Sequence, residues 1–478
     1  MVGAGPNGLA AAVTLARAGL SVAVFERAAT IGGGARTSEA TLPGYLHDVC
    51  SAVHPMAFAS RFFQEFDLRS RVQFATPEVS YAHPLDGGRA GIAYRSMERT
   101  ADSLGRDGAA WKRLLAPLVE QRAALGDISG NTLLRFPRHP FTLAAFGLRA
   151  LEQGSLLWNT RWSGDAAPAM LTGVMAHAVQ PLPSLGSAAA GLTLATYAHA
   201  GGWPVPIGGS QAIVDSMAAD LLAHGGTITT DADVSSMSDL PSSRLTMFDT
   251  SARAMERIAA DRLPQRYRAA LGRIRYGNAV AKVDYALSGP VPWANDEVAL
   301  AGTVHLGGTR AELAAAENAM SAGRHAEHPY VLVSQPSSFD PGRAPEGKHV
   351  LWAYTHVPRD SNVDQTEAIT RQIERFAPGF RDVIIASSSR TAEQIEAYNP
   401  NYVYGDIASG NGDFLGLIRR PTWSSDPWRT PGEGIYLCSS AAVPGPGVHG
   451  LAGWRAALSA LRHQYGVDVP PRLDPEGA

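Results

Sequence analysis

The chain has 478 residues, 45% hydrophobic and 18% charged, with 41 basic and 44 acidic side chains for a net charge of −3. That length allows more than one domain and a substantial core, while the balanced charge gives nucleic acid or an anionic bilayer no general attraction. The only cysteines, Cys50 and Cys438, form no CxxC pair, which excludes a local dithiol or a cysteine metal cluster and reads as two free thiols.

The sequence begins MVGAGPNGLAAAVTLARAG. Gly3, Gly5 and Gly8 fit GxGxxG, a turn that normally follows a buried strand of about five residues. Here only Met1 and Val2 precede it. The expectation is a poorly anchored turn, in a chain that binds its ligand more weakly than one with a full upstream strand. Residues 9–18 read as a buried helix closed by Gly19. SVAVF (21–25) reads as a strand ending before Glu26, which stands 18 positions after Gly8. RAATIGGGART adds a second glycine-rich loop.

Residues 41–100 mix short strands and loops, and 101–200 become mostly helical. DGAAWKRLLAPLVEQRAAL carries Trp111, Leu114, Leu115 and Leu118 at helical spacing. RFPRHP reads as a basic solvated loop, and the following FTLAAFGLRAL as an internal amphipathic helix or a membrane contact. SLGSAAAGLTLATYAHAGG is too small and glycine-punctuated to cross a bilayer and reads as a buried helix. The α/β pattern returns with the helix around Ile213, Met217 and Leu221, the strand TITT and the strand in RLTMFDTS. HVLWAYTHV (349–357) predicts a strand, ITRQIERFAPGF a helix, GIYLCSSA a last strand and AGWRAALSALRHQYG a last helix.

This order predicts an α/β fold with two domains. A discontinuous Rossmann-like domain takes 1–95, 205–263 and 416–468. A mixed α+β substrate or lid domain takes 96–204 and 264–415, and 469–478 form a flexible tail. No secretory leader, transmembrane run or metal-ligand motif is expected, and a cytoplasmic location follows. Self-association stays open.

The glycines have a chemical purpose. A diphosphate needs close approach to backbone N–H groups, which a Cβ obstructs. Gly3 permits the turn, Gly5 the approach and Gly8 the helix–strand packing, with Pro6 and Asn7 in the same turn. The helix start adds orphan donors and a positive dipole end. Glu26 is placed to accept hydrogen bonds from a ribose diol.

Several motifs together resemble the phytoene-desaturase-like branch of the FAD-dependent amine oxidase superfamily. Within it the chain is most similar to the subgroup labelled pyridine nucleotide–disulphide oxidoreductase domain 2. VGAGPNGL with VFERAATIGGGART is similar to the N-terminal FAD signature. GGWPVPIGGSQAIVDSMAADLLAHGG resembles the middle motif, and KVDYALSGPVPW and LWAYTHVP the subgroup. NYVYGDIASGN and GIYLCSSAAVPGPGVHGLAGWRAA resemble the C-terminal pattern. The resemblance implies an FAD-binding domain of the GR2/amine oxidase type, with FAD as cofactor. It implies that Glu26, with Arg27 beside it, holds the adenosine ribose. Gly33, Gly34 and Arg36 would line the diphosphate and flavin approach, and Val234 would hold adenine through its backbone. Ser439 and Ser440 would face the ribityl and phosphate groups. Gly447 and Val448 would lead into a helix whose start faces the flavin N1–C2=O edge, where reduced flavin carries negative charge. With no CxxC and no second GxGxxG, disulfide reduction and a permanent NADPH site are not expected.

Hydride removal needs mainly alignment and exclusion of water. The catalytic candidates are His54, Trp352 and His449. His54 reads either as a structural residue beside Pro55 or as an acid, base or polar anchor. Trp352 and Tyr354 share a strand face with His356, as core or as a wall of an apolar cavity. His449 either tunes the flavin or caps the last helix. The leading expectation is an FAD-dependent oxidoreductase that takes hydride at flavin N5 from an apolar or mixed small molecule, with an acceptor the sequence does not name. The alternatives are a flavin-dependent reductase or isomerase, or a non-catalytic flavin-binding scaffold. No nucleic-acid partner is expected, and peripheral membrane contact stays open.

Overall fold

The structure is a computed structural model that describes residues 1–475. Its first sheet is assembled around the opening turn. Val2 bridges in parallel to both Phe25 and Phe248. The five-part parallel order is therefore Thr227–Thr229, Ala23–Phe25, Val2, Thr246–Phe248 and Ile435–Leu437. Val2 N–H donates to Met247 O at 2.9 Å and Val2 O accepts from Asp249 N–H at 2.8 Å. Gly3 N–H donates to Phe25 O at 2.8 Å. The expected weak anchoring is thus not found, because one buried residue paired on both sides holds the turn between two strands. Gly3 has φ +92°, and a Cβ there would lie 2.6 Å from Asp249 O, so the turn admits only glycine.

The helix Pro6–Arg17 follows without interruption and is buried along most of its length. The helices Leu451–Tyr465 and Gln211–Ala223 pack against it. A Cβ at Gly453 would overlap the Asn7 carbonyl oxygen, so the last helix crosses the first at backbone contact. The alanines of both helices close one apolar core with Val24, Phe248 and Leu437.

A second, seven-stranded mixed sheet runs Ile384–Arg390, Ala279–Leu287, His349–Val357, Val331–Ser334, Ala301–Leu306, Val79–Leu85 and Arg89–Tyr94. Only the pairing of Ala301–Leu306 with Val79–Leu85 is parallel. Alternation divides its side chains. Tyr81, Val280, Leu332, Trp352 and Tyr354 face a helical layer that includes Ala166–Met175 and Leu185–Ala200. Val79, Val283, Tyr285, Leu351 and Ala353 face Ile369 and Ile373 on the other side.

Two boundaries differ from the sequence expectation. Residues 79–94, read within the 1–95 segment of the nucleotide domain, hydrogen-bond into the second sheet. Tyr267 and Leu271, read within the substrate domain, pack into the first core. The expected flexible tail also changes. Leu473 is buried in that core, and Arg71 and Arg17 donate to the carbonyls of Leu473 and Asp474. The last part of that expectation, 476–478, lies outside the described residues. Among the described residues no helix is long and apolar enough to cross a membrane, and no group of acidic, histidine and cysteine side chains is arranged to hold a metal ion.

Candidate functional site

A cavity of about 760 Å³ joins the two sheets. Its nucleotide-domain end lies at the carboxyl edge of the parallel strands, where open α/β sheets bind ligands. Gly3, Gly5, Pro6 and Asn7 form part of the wall, and Gly33 and Gly34 face them from the second glycine loop. That loop is tied to the first by Gly32 N–H donating to Ala4 O at 2.9 Å. A Cβ on Gly33 would stand 3.2 Å from Gly5 Cα, so the two loops make a narrow backbone cradle. Gly8 does not reach the cavity. A Cβ there would lie 2.5 Å from Gly3 O, which makes it the packing glycine.

Glu26 lines the cavity and is held rigidly. It accepts from Ala4 N–H at 2.9 Å, Ala28 N–H at 2.9 Å and Arg36 at 3.1 Å. Oε1 takes two of these bonds and Oε2 one, so Oε2 keeps one acceptor site. Arg36 also donates to Thr30 O and to the Tyr398 hydroxyl, so its guanidinium shapes the loop. Arg27 is exposed and donates to Tyr398 O at 3.2 Å. Val234 lines the same end, next to the chain that is anchored by Ala232 N–H on Glu26 O at 2.9 Å.

Asp249, which the sequence reading passed over, stands in front of the opening turn. It leaves the end of the strand Thr246–Phe248 and lines the cavity. Its Oδ2 accepts from Gly8 N–H at 2.8 Å, capping the first helix from across the sheet. A Cβ on Gly5 would lie 2.5 Å from that oxygen. The space opened by Gly5, expected for a diphosphate, is in this structure bordered by a carboxylate. Burial raises the Asp249 pKa to about 7, and the nearby Glu26 charge adds to the rise. The signal was an acid directly after an apolar strand in RLTMFDTS.

Ser439 and Ser440 line the cavity as expected. Ser439 donates its hydroxyl to Thr250 O at 2.6 Å, and Ser440 pairs with Ser409 at 2.9 Å. Gly447, Val448 and His449 approach from the start of the last helix. His449 Nδ1 accepts from Leu451 N–H at 3.1 Å, so this ring caps the helix and walls the cavity together. Its acceptor role leaves the ring proton on Nε2. Burial pushes its pKa down to about 4.

The other end is aromatic and apolar. Trp352 and Tyr354 project from one face of the strand His349–Val357, their rings 5.0 Å apart in a T-shape. The Trp352 indole N–H is buried with no protein acceptor. His356 lies further along that face, outside the cavity wall, with Nδ1 2.8 Å from Glu317. His54 is buried at the wall, its Nε2 2.7 Å from Ser210 Oγ. Ser210 gives its one proton to Ser51 O at 2.5 Å, so it accepts from His54 Nε2–H and leaves Nδ1 with the lone pair. Burial lowers the His54 pKa to about 4. The structure thus brings His54, Trp352 and His449 to one cavity.

Two further groups were missed, one with a partner 128 positions away and one paired two residues along its own strand. His177 lines the cavity and sets Nε2 2.8 Å from His305 Nε2. Burial pushes the pKa of both down, so the neutral pair shares one proton. Lys282 is buried with its Nζ 2.6 Å from Asp284 Oδ1 and 5.7 Å from the Trp352 ring. Burial lowers its pKa against the pull of Asp284.

The fold is a Rossmann-like domain joined to a mixed α+β domain, the architecture of solved structures of the amine-oxidase type. The family model of an NAD(P)-binding Rossmann-like domain matches residues 1–66. A rat protein, pyridine nucleotide-disulfide oxidoreductase domain-containing protein 2, is 24% identical over 97% of this chain and 93% of its own length. An oxidoreductase from Methanosarcina mazei superposes with a TM-score of 0.62 at 18% identity, covering 96% of this chain and 99% of that one. Wild-type putrescine oxidase bound to putrescine gives 0.60 at 19% identity, over 97% and 98%.

Proposed function

We infer that the chain is an FAD-dependent oxidoreductase acting on a largely apolar, uncharged small molecule, with a separate electron acceptor. The observation that carries this is the continuous cavity from the double glycine cradle to the Trp352–Tyr354 face. Its volume falls in the range of about 300–1,000 Å³ usual for ligand sites.

The residues present fit an extended dinucleotide. Glu26 Oε2 has one remaining acceptor site for a ribose hydroxyl, and Val234 has backbone for an adenine. The facing loops at Gly5 and Gly33 present bare backbone of the cavity wall to a diphosphate, with the Asp249 carboxyl, its pKa raised to about 7, beside them. Gly447 and Val448 offer a helix start to an electron-rich ring edge. A flavin bound there would supply the hydride-accepting ring.

The chain itself does the orienting. Trp352 and Tyr354 form an aromatic wall against which an apolar substrate is held, and its burial excludes water. His54 keeps a neutral ring whose lone pair sits on Nδ1, suited to accept a proton or hydrogen bond from substrate. The charge distribution separates two substrate classes. The only carboxylates on the described cavity wall, Glu26, Asp233 and Asp249, lie at the nucleotide end. A protonated amine at the aromatic end would find no counter-ion, which favours a neutral substrate of the desaturase kind over an amine.

The test is reconstitution of the purified chain with FAD, followed by absorbance near 450 nm and tryptophan quenching. Saturable uptake is expected, and a preparation that takes up no FAD overturns the reading. On the loaded protein, lipophilic alkenes are expected to bleach the flavin anaerobically where diamines do not.

A further inference from the structure

The segment that precedes the helices Ala166–Met175 and Leu185–Ala200 leaves large apolar side chains facing outward. In the helix Pro140–Gln153, Thr142, Ala150 and Gln153 are buried and Phe146 packs against the core, whereas Phe141, Leu148 and Leu151 are exposed. These three sit at i, i+7 and i+10, one continuous stripe of a helix. The flanking turns repeat the pattern. Phe136 is 92%, Phe141 89% and Leu156 93% exposed. Large apolar residues left exposed along one side of a helix whose other side already packs against the core mark a surface with something to meet.

A second segment brings more. Phe414, Leu415 and Trp423 are also exposed. Thr132 hydrogen-bonds Ser424 O at 3.5 Å, which sets Trp423 beside the 133–136 turn. A Cβ on Gly154 would lie 2.8 Å from Ser184 O, and one on Gly186 would overlap Gly412 O. Both apolar segments therefore meet at the start of the helix Leu185–Ala200. The cavity reaches the surface at this place. Leu133, Phe146 and Leu417 line it, and Leu133 is itself 42% exposed. The protruding residues alternate along the chain with residues of the cavity wall.

We propose that this face is a docking surface for an anionic lipid bilayer, and that apolar molecules pass from the bilayer through the Leu133–Phe146–Leu417 mouth into the cavity. Charge selects this occupant. Residues 127–161 hold four arginines, Arg135, Arg138, Arg149 and Arg161, against two acids, Asp127 and Glu152, a local balance of +2 in a chain of net −3. Arg135 pairs with Asp127, Arg161 with Glu152, Arg149 turns inward to Leu114 O, and Arg138 stands exposed. Isolated apolar tips among basic side chains suit insertion between acidic headgroups. A second copy of the chain would meet this face with its own arginines, because a two-fold contact pairs a patch with itself. The inference does not depend on the cofactor.

The test is co-sedimentation of the full chain with vesicles of phosphatidylcholine alone and with 30% phosphatidylglycerol. Binding is expected to be at least ~10-fold tighter to the anionic vesicles and to fall at high salt. The triple variant F136S/F141S/L156S is expected to lose at least ~30-fold on both compositions. Arg138→Glu, an exposed change, is expected to lose ~10-fold on anionic vesicles alone, and Leu222→Ser, at an exposed apolar residue of the helix Gln211–Ala223, nothing. Wild-type protein that stays in the supernatant at ~1 mM anionic lipid would overturn the proposal. So would a lipid-free wild-type dimer that the triple variant converts to monomer, which assigns the face to a second copy.

Discussion

The Asp249 carboxyl offers a sharp test of how the opening turn is built. In the unfolded chain it titrates near 3.8, and in the fold near 7, because burial beside Glu26 penalises its charge more than Gly8 N–H relieves it. The folded state therefore binds the proton more tightly. Stability falls as pH rises from 3.8 to 7 and is level above. At about 1.4 kcal/mol per pH unit, the part lost between pH 5 and 8 is at most about 3 kcal/mol. Asp249 borders the cavity, and solvent there lowers the figure, so about 1–3 kcal/mol is the expected span. Asp249→Asn keeps an oxygen to accept from Gly8 N–H and removes the titration. Urea unfolding of both proteins at pH 5, 6, 7 and 8 should show the variant's advantage growing by that span. An advantage that stays flat across this range, or a variant less stable than wild type at pH 8, would refute the assignment of a buried, charge-penalised carboxyl.

The opposite slope is expected at lower pH. Burial holds His54, His83, His199 and His449 at pKa values of about 4, so stability present above 6.5 is lost as pH falls toward 4. Each contributes up to about 2 kcal/mol between pH 6.5 and 5, read as a falling urea midpoint that His83→Gln makes shallower. Gly453→Ala should cost about 3 kcal/mol or abolish folding, since its Cβ overlaps the Asn7 carbonyl, as thermal melting will show. Arg343 is fully buried, 2.8 Å from Asp340 and 3.1 Å from Asp48. Arg343→Met strands two carboxylates, and an equilibrium-unfolding loss of about 3–5 kcal/mol is expected, partly restored by adding Asp48→Asn.

What could be read beforehand divides by the distance over which it is decided. The opening helix, the strands SVAVF, TITT and HVLWAYTHV, and the last helix follow from patterns that repeat within ten residues, and the structure forms each of them. Sheet membership does not. Val79 is placed by Ala301, its partner in the second sheet, and no local feature of 79–94 names that partner. The same holds for Asp249, which caps a helix whose Gly8 lies 241 positions earlier, and for His177, whose partner His305 lies 128 positions later. The cradle glycines were legible because their requirement is steric and local. The carboxylate that borders them was not, because its position is set by strand order.

The outward helix shows a different kind of limit. Its pattern is a regular amphipathic stripe, and periodicity alone says that one side is apolar, not which way that side points. The direction is decided by what the opposite side can satisfy. Arg149 donates to Leu114 O at 2.9 Å and Thr142 to Gln121, so the polar side is hydrogen-bonded to the neighbouring helices. Phe146 and Ala150 on that same side already pack against the core, so the helix has apolar residues to spare and leaves Phe141, Leu148 and Leu151 outside. That Phe141, Leu148 and Leu151 stay in water beside the Leu133–Phe146–Leu417 mouth is a local cost that the proposed lipid contact would offset.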